Sequence, residues 1–319
     1  MIGAELMPSI IKVGMIGYGG QATKIENYLS KKYKKTEVIF FNYKNKILKS
    51  RYTNKLDDLL KCDIIFICSP NKTHFKYLKK FLNKKYIFCE KPPVSNSKEI
   101  NYLRNYDNGK VFYNYNMRFS KVYKFINDCS LKKIGKFIDG EIVFSHLLGF
   151  QKKYKENWRS KKKYTQKGVY EVVSIHALDL IKNIFKNIRI VKNFFSNISK
   201  YGNSIDTALT LAQINKNSFI KIFCSYCAPY NYKIKLIYEN AIIDIDDKNL
   251  KFFHPCNKIG NNGLSIRPKI SKKINYNRRT DYINSLHRSI DYFMNFYLKN
   301  KKFSHSEKKN ALDSNRFII

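Results

Sequence analysis

A chain of 319 residues, 44% of them hydrophobic and 15% aromatic, is long and apolar enough for one large or two ordinary domains, which excludes a disordered protein. Its 61 basic and 24 acidic residues give a net charge of +37, yet the lysines are spread along the whole chain rather than gathered in a nucleic-acid-binding tract. With no apolar run long enough to span a membrane and no secretion signal in residues 1–12, we expect a cytoplasmic protein. We expect no membrane partner and no specific nucleic acid, only a modest attraction of anionic substrates and phosphorylated cofactors.

Residues 1–118 alternate short apolar runs with helical patterns, and the loops between them are short. This alternation is typical of a doubly wound parallel sheet, an α/β fold, and we assign residues 1–118 to a first domain. The predicted strands are residues 10–16, 37–41, 63–68, 86–89 and 111–114, and the predicted helices are residues 22–32, 57–60, 73–82 and 97–106.

The rhythm changes after residue 118, and we assign residues 119–319 to a second, α+β domain. A helix is predicted at 121–129, a long strand at 137–145, a loop at 152–167 and a helix at 170–185. Five extended segments then alternate as a sheet with one buried face should, and they cover residues 189–195, 204–214, 218–227, 232–239 and 241–246. Residues 257–277 read as an irregular connection. Residues 281–298 carry a helical apolar stripe and could pack back on the first domain.

The cysteine pattern predicts free thiols and no metal site. Seven is an odd number, in a chain without a secretion signal. Cys224 and Cys227 form a lone CxxC within an expected strand, where their sulfur atoms would point to opposite faces.

A glycine turn, Gly17-Tyr18-Gly19-Gly20-Gln21-Ala22, joins the first predicted strand to the first helix. Gly17 permits the tight turn, Gly19 lets the backbone approach a pyrophosphate, and Ala22 allows close packing of the helix. The phosphates would then meet the helix N-terminus, where free N–H groups favour negative charge. The turn therefore predicts a dinucleotide site.

The end of the second strand leaves the choice between NAD and NADP open. A carboxylate there would hold the ribose hydroxyls of NAD, but Asn42 takes that position. Asn42 with Lys44 and Lys46 would suit the 2′-phosphate of NADP. The same lysines could equally be two more on a lysine-rich surface.

Six short motifs together resemble the Gfo/Idh/MocA (glucose–fructose oxidoreductase) family, which includes inositol dehydrogenases. They occur in the family's order and approximate spacing between residues 11 and 297, and Glu-Lys-Pro is the most specific of them. The motifs are Gly17-x-Gly19-x-x-Ala22, Cys68-Ser69-Pro70-Asn71-x-x-His74, Glu90-Lys91-Pro92, Asn116-x-Arg118-Phe119, Trp158-Arg159 and His176-x-x-Asp179.

The resemblance implies a Rossmann domain followed by a domain with a large open sheet, often used to form homodimers or homotetramers. It also implies an NAD(P)-dependent dehydrogenase or reductase. Such an enzyme transfers a hydride between the nicotinamide and a CH–OH group of a sugar, polyol or sugar nucleotide.

Two residues match the catalytic residues of the family. Lys91 matches its active-site lysine, and an ammonium there can stabilise charge that develops on the reacting oxygen. His176 matches its catalytic histidine, and an imidazole with an ordinary pKa of about 6.5 can take or return the hydroxyl proton. A lone histidine on a helix is more often structural, but His176 is followed by Asp179 as in the family pattern.

The remaining site residues follow from the resemblance as well. Two of them have plain alternatives, since His74 could be an ordinary residue at a helix start and Trp158 a core residue. The cofactor set is Gly17, Tyr18, Gly19, Gly20, Gln21, Ala22, Asn42, Ser69, Pro70, Asn71, His74, Glu90 and Lys91, and the substrate set is Asn116, Arg118, Trp158, Arg159 and Asp179.

One position departs from the family pattern. The family often has an aspartate four residues before the histidine, and this chain has Val172 there, preceded by Glu171. On a regular helix Glu171 would face about 100° away from the expected direction. Either Glu171 substitutes through a shifted helix, or the carboxylate is missing. The second case favours an alternative function, a catalytically degenerate member that binds nucleotide or sugar as a sensor or accessory protein.

Overall fold

A computed structural model describes residues 10–41, 51–185 and 187–319. The α-helices are α1 Gly20–Lys32, α2 His74–Phe81, α3 Ser97–Tyr106, α4 Lys121–Ser130, α5 Ile175–Ile184, α6 Arg278–Leu298 and α7 His305–Asn315. Among the described residues, no helix has the length and apolar character needed to cross a bilayer.

The chain divides into two compact units. The first unit holds the described residues up to Tyr115 together with Leu286–Phe317, and the second holds Asn116–Ser285. The last two residues of the chain are divided between them, with Ile318 in the second unit and Ile319 in the first.

The first unit is built on a parallel sheet. Its strands are β1 Ile11–Ile16, β2 Thr36–Phe41, β3 Tyr52–Thr53, β4 Ile64–Ile67, β5 Tyr86–Glu90 and β6 Val111–Asn114. They pair in parallel in the order β3-β2-β1-β4-β5-β6. The chain reverses its direction of travel across the sheet between β1 and β4, and a doubly wound sheet binds ligands outside the carboxyl ends of its strands at such a point.

Apolar side chains bury the strands and the second half of α6 in one core. Leu286, Ile290, Phe293 and Met294 recur at helical spacing and are fully buried. The ring of Phe293 lies 5.4 Å from that of Phe66 on β4. Packing is also close within the sheet, since a Cβ added to Gly14 on β1 would lie 2.7 Å from the side-chain tip of Ile65.

A polar junction ties α6 to α1 in this unit. The carboxylate of Asp291 accepts hydrogen bonds from the hydroxyls of Tyr28 at 2.8 Å and Tyr33 at 3.0 Å, and from the ammonium of Lys32 at 2.7 Å. Burial and the Asp291 charge raise the pKa of Tyr33, so its hydroxyl stays a hydrogen-bond donor. The ring of His287 stacks on Tyr28 at 3.9 Å between ring centres. One carboxylate therefore holds two helices together.

The second unit is built on an open, mostly antiparallel sheet. Its strands are β7 Phe137–Ser145, β8 Ile188–Ser196, β9 Thr207–Ile214, β10 Ser218–Ser225, β11 Asn231–Tyr238, β12 Ala241–Ile245, β13 Asn249–Phe253 and β14 Ile270–Asn275. Their order is β14-β13-β12-β11-β7-β10-β9-β8, and only the β7–β10 pair is parallel. Helix α4 packs against β12 and β13.

An apolar row crosses one face of this sheet. Successive pairs in the register are Phe194 with Leu209, Leu209 with Phe223, and Phe223 with Val143. Phe194 is 55% exposed. The neighbouring position Glu141 pairs with the ammonium groups of Lys221 at 2.8 Å and Lys233 at 2.7 Å. Those two ammonium groups lower the pKa of Glu141.

These findings confirm the predicted fold class, a parallel Rossmann-type sheet plus a large antiparallel sheet. Residues 257–277 correct one expectation, because they hold the strand β14. This strand, ISKKIN, lies at the sheet edge and is largely exposed, so it lacks the alternation that marks a buried face. Strand β9 also begins three residues later than expected, since the carboxylate of Asp206 accepts from the backbone N–H groups of Ile198 and Ser199 instead. All seven cysteines are free, as predicted.

Candidate functional site

The glycine turn after β1 leaves no room for a side chain at its first position. Gly17 has a φ of +101°, in the region that side chains other than glycine rarely adopt. A Cβ there would lie 2.8 Å from the backbone atoms of Cys68 and Ser69. The strand end of β1 is thus held directly against the strand end of β4.

The next two glycines border open space. A Cβ added to Gly19 or Gly20 would meet nothing within 4 Å among the described residues. Helix α1 begins at Gly20, so the N–H groups of its first turn have no partners within the helix. Ala22 is fully buried beneath this turn, and Tyr18 is 61% exposed above it with its ring edge-on to Phe40. Unhindered N–H groups at a helix start are the chemistry that a pyrophosphate requires, so these residues fit a dinucleotide.

A buried carboxylate fixes this helix start to the sheet. Oε1 of Glu90, the last residue of β5, accepts from the amides of Gln21 at 2.9 Å and Asn114 at 2.8 Å. Burial raises the pKa of Glu90. Glu90 and Gln21 are therefore joined to each other in this structure, and Lys91 follows them at the strand end, half-buried.

His74 joins the loops that follow β4 and β5. Its ring nitrogens lie 2.8 Å from the carbonyl oxygen of Pro92 and 2.7 Å from that of Ser69. His74 is buried, and burial lowers its pKa although the two carbonyls oppose the shift. His74 therefore contacts both of the loops that carry Ser69, Pro70 and Lys91, and its part in cofactor binding stays a prediction.

Asn71 offers an unused donor in the same loop. Its side chain is buried, and its amide nitrogen finds no acceptor among the described residues. An unpaired buried amide has a cost that a bound polar ligand removes. Asn42, the remaining predicted cofactor residue, lies outside the described residues.

In the second unit His176 lines a cavity of about 470 Å³. Val173 reaches the cavity from the preceding turn of the same helical segment. The lining is Met117, Phe144, Ser145, His146, Val173, His176, Tyr230, Asn231, Tyr232, Arg278, Arg279 and Tyr282. Aromatic rings with a few polar groups are typical of small-molecule sites.

A π-helical turn, Tyr170–Ser174, precedes α5 and carries Glu171. The carboxylate of Glu171 accepts from the backbone N–H of Lys167 at 2.6 Å and the hydroxyl of Thr165 at 3.0 Å. Val172 is buried. Both oxygens of Glu171 are thus used to close the preceding loop, and neither residue is part of the cavity lining that the structure describes.

Three of the predicted substrate residues form structural contacts within the second unit. Arg118 and Asp179 pair through several hydrogen bonds, the shortest of them 2.6 Å from Nη2 to Oδ1, and Asp179 is buried. Asn116 donates to the hydroxyl of Ser285 at 2.9 Å. Within the described part of the chain, these three side chains do not line the cavity, whereas their neighbour Met117 does.

Trp158 and Arg159 lie in a short 3₁₀ turn. The guanidinium of Arg159 stacks on the Trp158 ring at 4.6 Å. The hydroxyl of Tyr154 donates to the backbone carbonyl of Arg159. Neither belongs to the described cavity lining. Their part in substrate binding stays a prediction.

The sequence motifs did not single out His146 or the two arginines that line the cavity. His146 follows directly after β7. Its place at the end of a strand is the one sequence signal that could have identified it as a site residue. Its Nδ1 accepts from the backbone N–H of Leu148 at 3.3 Å, and burial together with the Arg159 charge lowers its pKa. A neutral His146 therefore has its Nε2–H left to donate. Arg278 and Arg279 begin α6, where a sequence pattern indicates only a helix start.

The comparisons with known proteins agree with this architecture. Residues 11–108 match the Gfo/Idh/MocA family model, described as an oxidoreductase family with an NAD-binding Rossmann fold. The match confirms the predicted resemblance, the oxidoreductase class and a nicotinamide dinucleotide as cofactor, while the choice between NAD and NADP stays open. No curated protein sequence matches the chain.

Solved structures share the fold of the whole chain at low identity. An oxidoreductase domain protein from Kribbella flavida is 12% identical with a TM-score of 0.79, over 98% of this chain and 96% of that one. Levoglucosan dehydrogenase in complex with NADH and levoglucosan is 12% identical with a TM-score of 0.75, over 97% and 96%. A myo-inositol dehydrogenase from Corynebacterium glutamicum is 16% identical with a TM-score of 0.69, over 97% and 95%.

Proposed function

We propose, with the match to the Gfo/Idh/MocA family as the premise, that the protein interconverts a carbinol and a ketone on a sugar, polyol or sugar nucleotide. The observation that carries the proposal is that His176 lines a cavity large enough for a small polyhydroxylated molecule. Two structural neighbours support the substrate class, since one is a levoglucosan dehydrogenase and the other a myo-inositol dehydrogenase.

Two side chains have chemical roles in this proposal. The imidazole of His176 takes the hydroxyl proton during oxidation and returns it during reduction. The ammonium of Lys91 donates a hydrogen bond to the reacting oxygen and stabilises its charge. The nicotinamide, when bound, supplies or accepts the hydride. In the first unit the glycine turn and Asn71 would hold the dinucleotide, and in the second unit the tyrosines of the cavity offer apolar faces and hydroxyls to a sugar.

The test is a change in NAD(P)H absorbance with a panel of sugars and polyols. Lys91→Ala should lower kcat by about 10²–10³-fold, because it removes electrostatic stabilisation of the transition state. His176→Ala should lower kcat by about 10²–10⁴-fold, because it removes a general acid–base group. Lys98→Ala and His254→Ala, which remove an exposed lysine and a histidine outside the cavity, are the matched controls.

Binding of the cofactor is measured separately by thermal shift. A ligand at a hundredfold excess over its Kd stabilises the folded state by about 2.7 kcal/mol. A shift with one of the four nicotinamide nucleotides supports the dinucleotide site and identifies the preferred cofactor. If no nucleotide binds, the proposed function is wrong.

The catalytically degenerate binder remains a second candidate, because one observation favours it. The position of the family aspartate holds buried Val172, and both oxygens of Glu171 are engaged by Thr165 and Lys167. This candidate predicts nucleotide or sugar binding without any absorbance change. Turnover that disappears in His176→Ala would exclude it.

A further inference from the structure

We propose that the substrate carries an anionic substituent, a carboxylate or a phosphate, and that Arg278 and Arg279 recognise it. The inference rests on the proposed function, because it specifies what the cavity beside His176 binds. The two arginines are consecutive, and both line that cavity.

The guanidinium of Arg278 is held in place by aromatic rings. Its carbon lies 4.5 Å from the centre of the Tyr232 ring and 5.5 Å from that of the Tyr282 ring. Its Nη2 lies 3.8 Å from the sulfur of Met117. Stacking on tyrosine orients a guanidinium without using up its N–H donors, so an arginine held this way is pre-organised for a planar or tetrahedral anion.

The described cavity lining holds no carboxylate to match its two arginines. The cavity lining contains two arginines and two histidines and, in the described part of the chain, no aspartate or glutamate. Neither arginine forms an ion pair within 4 Å among the described residues, and Nε of Arg278 is buried without an acceptor there. Asp247, whose carbonyl accepts from the N–H of Arg278, and Asp281 belong to the same region, but the Oδ1 of Asp281 is bonded to the backbone N–H of Lys121.

A substrate anion in the cavity would accept hydrogen bonds from the two guanidiniums that line it. Hydrogen bonds between arginine and a carboxylate or phosphate are short and often bidentate, and they are roughly twice as strong as neutral ones. A neutral polyol would leave the partly buried guanidinium of Arg278 without a counter-ion in a mostly apolar cavity, which is unfavourable. The net charge of +37 adds a long-range attraction for the same class of molecule.

The test measures binding of matched sugars by calorimetry, with and without a nicotinamide nucleotide. Galacturonate and galactose differ by a carboxylate, and glucose 6-phosphate and glucose differ by a phosphate. We expect at least one of the two anions to bind more tightly than its neutral partner. Arg278→Gln and Arg279→Gln should each weaken that binding by about 10–100-fold, the range that corresponds to about 1.4–2.8 kcal/mol.

Arg267→Gln is the matched control, because Arg267 is an exposed arginine of the same unit outside the cavity lining. If Arg278→Gln does not fold, Arg279→Gln carries the test, since its exposed side chain can be replaced without disturbing packing. If the arginine variants weaken the binding of galacturonate, the substituent is a carboxylate. If they weaken the binding of glucose 6-phosphate, it is a phosphate.

The outcomes separate this inference from the function on which it rests. Arginine-dependent binding of an anion without any turnover would support the inference and contradict the proposed function. Turnover of a neutral polyol that is unchanged in both arginine variants would support the function and overturn the inference. Equal loss of binding in Arg267→Gln, or no arginine-dependent binding of either anion, would also overturn it.

Discussion

Buried polar side chains determine the geometry of the strand ends in the first unit. The two ring nitrogens of His74 contact backbone carbonyls in the loops after β4 and β5, and Glu90 joins α1, β5 and β6 by accepting from two amides. All of these contacts are made within the protein itself. We expect them to hold Asn71 and Lys91 in place, as an oriented binding site requires.

His74→Phe is the sharpest test of this role. The phenyl ring fills a similar space but donates no hydrogen bond, so at least one buried carbonyl is left unpaired at a cost of about 1–3 kcal/mol. We expect that loss of unfolding free energy in urea, together with weaker binding of the nicotinamide nucleotide. His305→Phe, at an exposed position on α7, should change neither, and equal behaviour of the two variants would contradict the assignment.

The stability difference between wild type and His74→Phe should also depend on pH. Burial lowers the pKa of His74 below its ordinary 6.5, so the unfolded chain takes up a proton at a higher pH than the folded protein does. The stability that neutral His74 contributes is fully present above pH 6.5 and is lost as the pH falls below it. The difference in unfolding free energy between wild type and His74→Phe should therefore shrink from pH 8 to pH 5. A difference in unfolding free energy that stays constant with pH would contradict the lowered pKa of His74.

At the scale of the elements, one carboxylate joins α6 to α1. The carboxylate of Asp291 serves Tyr28, Tyr33 and Lys32 on and after α1. The Lys32 ion pair is partly exposed and contributes little, so the two tyrosine bonds should dominate.

Asp291→Ala should lower the unfolding free energy by about 1–3 kcal/mol, since it removes hydrogen bonds to a charged group. Urea denaturation measures the loss, and a double-mutant cycle with Tyr33→Phe isolates the tyrosine bond. Asp57→Ala is the control, because Asp57 pairs only at the surface with Lys80. A cycle with no coupling energy would show that the junction is incidental.

The sequence predicts elements well where their burial is regular. The near-continuous apolar runs of β4 and β5 predict buried parallel strands, and the stripe from Leu286 to Met294 predicts a packing helix. Strand β14 and the π-helical turn before α5 were not predicted, since one is a polar edge and the other changes the helical period by a single residue. The arginines of the cavity were also missed. Their position beside His176 depends on long-range packing that no local pattern contains.

At the scale of the whole molecule, the large sheet carries an apolar row that is most exposed at Phe194 and buried at its other end, Val143. Phe194, Leu209, Phe223 and Val143 lie side by side across four strands, and a strand edge at β8 ends the row. A second copy of the chain would cover it. We expect a homodimer or homotetramer, and this row as its contact.

Phe194→Lys should weaken self-association by about 10–100-fold, because it removes about 1.5–3 kcal/mol of apolar burial and places like charges opposite each other. Light scattering coupled to size exclusion measures the change. Leu131→Lys, at a highly exposed position outside the row, should leave the mass unchanged. If wild type and both variants are monomers, the row is not an interface.

The surroundings of the two glycines on and after β1 have a consequence for genetics. An alanine at Gly14 would be obstructed by the flexible tip of Ile65, which Ile65→Val shortens, so a selection for function should recover that second-site suppressor. An alanine at Gly17 would be obstructed by the backbone of Cys68 and Ser69 and would also adopt an unfavourable φ. No substitution elsewhere removes a peptide unit. Lineages that lose Gly17 can therefore regain the nucleotide site only by true reversion, whereas loss of Gly14 leaves a second-site route open.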